Sequence, residues 1–432
     1  MKKIALFLLL TVAFSSMADE PSAAKTTDMT FTVDNLWVMI AGMLVFIMHI
    51  GFGTLESGLA RAKNCTNVLF KNALTPPLGI ITFFFCGYSL MYSGNWQLGH
   101  LLAFNGFGAH PPVGGGNPHF TFWTDFFFQG MFAATCATIV SGAVAGRIKV
   151  NAYIIFTILY AGVVYPVIGS WGWGGGWLAG INFHDFAGST FVHAIGGWGA
   201  LAGVILLGPR IGKYAHGRSN PIAGHNMPLA FLGVFLLWFG WFGFNGGSVL
   251  SADPETVSYV LVSTTLAACA GVIASMVTSM FTNRGKADFT MMLNGCLAGL
   301  VGITAGADCV SMDAALVIGA ICGVIVVFAV LMFDRLRLDD PVGALSVHLV
   351  CGILGTLAVG VFALPEYNYT FMSQLAGVGA SAAVAFPAAL AIFATLKYTV
   401  GIRVTAEEEL RGLDVSEHGM EAYSGFQIFA NM

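Results

Sequence analysis

Eleven apolar runs, each long enough to cross a hydrocarbon core, divide this chain of 432 residues into spans and short breaks. Their approximate limits are 35–59, 67–92, 122–146, 152–170, 187–207, 228–248, 257–281, 288–305, 312–333, 343–363 and 375–402. Such a pattern leaves little choice of fold. Backbone in lipid must satisfy its own polar groups, and apolar runs of this length do so as helices. Composition agrees, because 56% of residues are hydrophobic and only 9% charged, where a soluble domain carries about 25% charged residues. The expected class is an all-α polytopic membrane protein with 11 transmembrane helices.

The basic residues assign an orientation. After spans one, three, five, seven, nine and eleven come Arg61, Lys63 and Lys71; Arg147 and Lys149; Arg210, Lys213 and Arg218; Arg284 and Lys286; Arg335 and Arg337; Arg403 and Arg411. The other breaks contain no lysine or arginine. The positive-inside rule then predicts an outer N-terminus and an inner C-terminus. Lys2 and Lys3, the apolar run Ile4–Phe14 and the small-x-small site Ser16-Met17-Ala18 read as a signal peptide, 1–18. The expected order is signal peptide, extracytoplasmic segment 19–34, membrane domain 35–403 and cytoplasmic tail 404–432.

Two segments repeat an aspartate followed eight positions later by a histidine, Asp185 to His193 and Asp340 to His348. Eight helical residues rise about 12 Å, which sets each histidine near the bilayer midplane. One copy precedes span five from outside and the other precedes span ten from inside. Spans 1–5 and 6–10 therefore read as an inverted 5+5 repeat, followed by a final helix. Its axis would bring His193 and His348 together, where paired imidazoles suit a narrow polar stripe that shares or relays a proton. No cysteine, aspartate or glutamate lies one turn away on the same face, so the expectation is no metal.

Helix capping is the plain reading of both aspartates, and it is enough for Asp340. For Asp185, at the outer entrance, stabilising an arriving cation stays open beside capping. Aromatic residues cluster at the outer ends of spans: Phe128 and Phe132; Trp171, Trp173 and Trp177; Trp241 and Phe244, with Ser248 following. Trp171 and Trp177 also fit an interfacial belt. Together the clusters can cage a small cation, with cation–π attraction of ~0.5–2 kcal/mol, and phenyl rings below can gate by excluding water. Glu56 sits at a depth where an acid is unusual, as a pore group or a packed polar contact. Of eight cysteines, Cys86, Cys136, Cys269, Cys296, Cys322 and Cys351 fall inside apolar runs and read as small buried hydrophobes, while Cys309 stays open. No phosphate-binding loop or nucleophile–base pair is present, so ATP-driven transport and enzymatic chemistry are not expected.

The run from Asp185 to Arg210, R-A-K-N from Arg61, W-G-G-G from Trp173, W-F-G-F-N-G-G-S from Trp241, D-D-P ahead of His348 and G-L-D-V-S-E-H-G from Gly412 stand in this order. In these segments the chain resembles the Amt/MEP/Rh ammonium transporter family over essentially the whole mature sequence. The resemblance implies an ammonium transporter in the inner membrane of a bacterium. It implies a recruitment site of Phe128, Phe132, Trp173 and Ser248, with Asp185 nearby, a gate of Phe132 and Phe244, and pore histidines His193 and His348. It further implies a homotrimer, a PII-type regulator on the C-terminal tail, ammonium or ammonia as substrate with methylammonium a further candidate, and no cofactor or nucleic acid. An ammonium sensor and a conduit for neutral gas remain alternatives.

Overall fold

The computed structural model describes residues 28–112, 117–215 and 217–423. The expected signal peptide, and the end of the tail from 424, lie outside these residues. The described chain folds into a bundle of helices: α1 Met29–Leu59, α2 Ala62–Tyr92, α3 Phe122–Ala143, α4 Val150–Ser170, α5 Ser189–Leu207, α6 Met227–Gly247, α7 Pro254–Thr282, α8 Phe289–Ile303, α9 Met312–Arg335, α10 Leu345–Phe362 and α11 Phe371–Thr399. Ten of them are long and apolar enough to cross a membrane. The exception is α8, whose 15 residues rise about 22 Å. It is shorter than the predicted run 288–305 because Asp288 caps its start, accepting from the Thr290 and Met291 amides, and because the helix ends at Ile303, before Thr304 and Ala305.

Side-chain caps explain most helix starts. Thr121, Asn226, Asp253, Ser311 and Thr370 each accept an amide of the following first turn, which satisfies donors that a helix leaves unpaired. Four helices contain a wider π-helical turn, at Phe83–Gly87 in α2, Tyr160–Val164 in α4, Ser189–Ala194 in α5 and Leu345–Val350 in α10.

The basic breaks after α1, α3, α5 and α9 gather on one face. Arg210 grips Asp339 with two parallel bonds of 2.8 Å, and Arg147 Nη2 donates to the Asp339 carbonyl at 2.7 Å. Burial alone would raise the Asp339 carboxyl, but Arg210, with Arg147 beyond it, holds it down at about 2. Two short helices, α12 Ala406–Arg411 and α13 Leu413–His418, close this face. The Leu413 amide donates to Asn64 Oδ1 at 3.0 Å and the Asn67 amide to Asp414 Oδ1 at 2.8 Å. Glu409 accepts from Arg403 at 2.8 Å and from the Ile211 amide at 2.7 Å.

Two expectations need correcting. Lys71 does not belong to the break after the first span; it lies inside α2, fully buried, and its Nζ donates to the Ser141 carbonyl at 3.0 Å. All eight cysteines are free, but Cys269 is exposed and Cys86 only half-buried, so packing in the core does not explain those two.

Candidate functional site

The two D-x7-H segments fold alike. The Asp185 carboxylate accepts from the amides of Gly188, Thr190 and Phe191 at 3.1, 2.9 and 2.8 Å. The Asp340 carboxylate accepts from Val342, Gly343 and Leu345 at 3.2, 3.1 and 2.7 Å. Each aspartate thus collects the unpaired donors at the start of its helix, α5 or α10. A glycine three residues on makes the turn, with φ +112° at Gly188 and +85° at Gly343, a left-handed conformation that other residues adopt at a cost. Both carboxylates are therefore committed to the backbone in the same way, where the sequence suggested unequal duties. Burial pushes the Asp185 carboxyl up to about 6, against the opposing pull of its backbone donors and of His184.

In both helices the π-turn that follows carries the histidine. Such turns are rare and common at functional sites. Helices α5 and α10 then cross backbone to backbone through reciprocal glycines, each four residues past its histidine. A Cβ on Gly197 would lie 2.7 Å from the Leu349 backbone, and one on Gly352 would lie 2.5 Å from the Ser189 carbonyl oxygen. This close crossing brings His193 Nδ1 and His348 Nδ1 to 3.2 Å, with ring centroids 5.2 Å apart. Both rings are buried, and His193 Nε2 has no partner among the described residues. Two neutral imidazoles meeting through Nδ1 share one proton. One ring then offers a bare Nε2 acceptor, and the other an Nε2–H donor.

Directly outside the pair, Phe244 lies 5.3 Å from the His193 ring and stacks on Phe132 at 4.2 Å, centroid to centroid. Both phenyls are buried, and they lie between the His193 ring and an outer cavity. Beyond them opens a cavity of about 130 Å³ whose walls include Phe128, Phe132, Trp173 and Ser248. Trp173 is held at its mouth because its indole Nε1 donates to the Asp185 carbonyl at 2.7 Å. The Ser248 hydroxyl spends its proton on the Phe244 carbonyl at 2.8 Å, which leaves its oxygen as an acceptor toward the cavity.

Not every aromatic expected near this cavity lines it. Trp241 packs flat on His193 at 5.0 Å, anchored by its indole to Thr304 Oγ1, and so sits beside the imidazole pair instead of the cavity. Trp171 and Trp177 pack on one another 5.9 Å apart in the loop before α5 and are not among the lining residues. Asp185 is not among them either. Tyr92, Gln129, Phe186 and Leu250 complete the wall and were not singled out from sequence. Gln129, the one amide in F-F-F-Q-G-M-F, carried a signal; Tyr92 carried none.

On the other side of the histidines, Glu56 and His348 line a cavity of about 10 Å³. Glu56 Oε2 accepts from Asn72 Nδ2 at 2.8 Å and Ser141 Oγ at 2.9 Å. Cys309 lies apart from the pore, buried, with its sulfur and the ligand atoms of His184 and Asp308 within 4.8 Å of one another.

These features define a class: a multi-pass helical membrane protein with two buried, paired imidazoles at its centre and two stacked phenyl rings beside them. The Ammonium Transporter Family model matches residues 36–423, and the chain belongs to that family. It is 40% identical to ammonium transporter Amt2 of Archaeoglobus fulgidus, over 98% of this chain and 95% of that one. A second relative, ammonium transporter Amt2 of Haloferax mediterranei, is also 40% identical, over 91% and 90% of the two chains. Among solved structures, one described as a sensor Amt protein superposes with a TM-score of 0.86 at 37% identity, covering 90% of this chain and 99% of that one. Mep2 of Candida albicans superposes with a TM-score of 0.79 at 30% identity, covering 87% of each chain.

Proposed function

We propose that this chain carries ammonium across a bacterial inner membrane, with its N-terminus outside, its C-terminal tail inside and the two halves related as an inverted repeat. The observation that supports this most is the imidazole pair lying behind a stacked phenyl gate, with an aromatic and hydroxyl cavity in front. An ammonium ion enters that cavity, attracted by the faces of Phe128, Phe132 and Trp173 and donating to Ser248; each cation–π contact contributes ~0.5–2 kcal/mol. The bare ion goes no further, because an unpaired charge in an apolar passage is heavily penalised. One N–H bond breaks, ammonia passes between Phe132 and Phe244, and the proton crosses separately through His193 and His348. Asp185 acts by position: it fixes the entry of α5 and, through its carbonyl, the Trp173 indole. The chain performs no enzymatic reaction, assembles as a homotrimer with one passage per subunit, and offers its tail-covered face to a PII-type regulator.

The test is ammonium-evoked current from protein reconstituted on a solid-supported membrane. Currents that saturate with ammonium, and that His193→Ala with His348→Ala abolishes, support the reading. Undiminished and ammonium-selective currents in that double variant overturn it. A sensor reading has one observation in its favour, the superposition on a sensor Amt protein. Ammonium binding without any current would favour it.

A further inference from the structure

Glu56 stands out among the buried groups that the passage described so far does not use. It lies in α1, 1% exposed, three residues from the end of the helix. A carboxylate at such depth is costly unless paired, and ion pairing is the usual remedy. Yet among the described residues no cationic nitrogen lies within 4.0 Å of it. Lys71 is directed elsewhere, with Nζ on the Ser141 carbonyl and over the Tyr153 ring at 5.4 Å from its centroid.

What Glu56 has instead is a polar cradle on one side. Asn72 and Ser141 hold Oε2, and Thr138 Oγ1 fixes the Asn72 amide by donating to its Oδ1 at 3.0 Å. Oε1 accepts no hydrogen bond among the described residues. Glu56 and His348 share the 10 Å³ cavity with Val342 and Gly343, a volume that suits about one water. Val342 and Gly343 in turn line a cleft of about 420 Å³ on the face closed by the tail. Among the described residues Glu56 is thus the one acid lining the small cavity that links the second histidine to that cleft, while Asp340 lines the cleft itself with its carboxylate held by backbone amides. The titratable groups facing it are His348 across the cavity, Lys71 and Tyr153 on the cradle side, and Asp340 at the start of α10.

We propose that Glu56 is the proton-accepting site on the inner half of the passage, taking the proton that leaves His348 and handing it to the cleft. The proposal rests on the transport reading above. Its steps balance without any further reactant. His348 gives up an N–H proton to a bridging water, the water gives one to Oε1, and the carboxylate becomes a carboxylic acid. The acid then returns the proton to water of the cleft or to ammonia leaving the passage, which re-forms ammonium and the carboxylate. Ammonia itself does not need Glu56 to pass.

That asymmetry sets the test. Evoked current and uptake of isotope-labelled ammonium are measured on the same reconstituted protein. For Glu56→Gln, which keeps the shape and removes the proton-accepting oxygen, current falls about tenfold or more while labelled uptake stays within roughly twofold. Glu56→Asp restores current in part. Current and uptake that change together, or not at all, overturn the proposal. If Glu56→Gln alone does not fold, the neutral pair Glu56→Gln with Lys71→Gln replaces it and is read by the same ratio. Unaltered protein without any evoked current would refute the transport reading itself, a result distinct from an unchanged Glu56→Gln ratio.

Discussion

Ser248 and Asp185 show how differently two polar residues serve one entrance. The Ser248 hydroxyl, its proton already spent on Phe244, can only accept, and a cation with N–H bonds is the partner it fits. Ser248→Ala should raise the ammonium concentration for half-maximal current about three- to tenfold, the worth of one hydrogen bond, with little change in maximal current. Asp185 serves by holding backbone. Asp185→Ala strands three buried amides, at a cost of roughly 3 kcal/mol or more, and should appear as a large drop in melting temperature in detergent. The residues that the structure gathers here, His193 with His348, Phe132 with Phe244, and Ser248, could all be picked out of the chain, because polar groups and aromatic clusters in an apolar run are conspicuous. Trp241 was misplaced by the same logic. Sequence adjacency to Phe244 says nothing of depth, and about two helical turns separate Trp241, packed on His193, from Ser248 at the cavity.

At the scale of elements, the passage depends on how closely α5 and α10 cross. Gly197→Ala or Gly352→Ala sets a methyl within 2.5–2.7 Å of backbone atoms. Either should cost about 1–3 kcal/mol, and by parting the histidines should lower evoked current more than it lowers folded yield; thermal unfolding and current on one preparation separate the two. The spans were legible because apolar length and basic breaks report them directly. The π-turns were not. A widened turn of six residues leaves no trace in the periodicity of segments buried nearly all round, as Ser189–Ala194 and Leu345–Val350 are. The short α8 was overestimated since Thr304 and Ala305 continue its apolar run past the helix end.

For the whole molecule, the face closed by α12 and α13 is held by charge. Because Asp339 sits at about 2 rather than 3.8, the Arg210–Asp339 pair contributes stability that is complete above pH ~4 and is lost as pH falls toward ~2. The contribution is roughly 2 kcal/mol. Melting temperature followed from pH 6 to pH 2 should show this acid limb, and Asp339→Asn should lower the plateau and flatten the limb. Asp185 works in the opposite sense: its raised value favours the folded state at low pH, an advantage lost as pH rises through about 6.

Potassium and sodium ions can be drawn to an aromatic cavity by the same attraction as ammonium. With the phenyl rings stacked at 4.2 Å acting as the proposed gate, that resemblance becomes irrelevant. An alkali ion has no proton to surrender and cannot shed its charge at the threshold. On the proposed reading, the passage discriminates by chemistry instead of by radius: it admits what can be divided into a neutral molecule and a proton, and turns back every ion that travels whole.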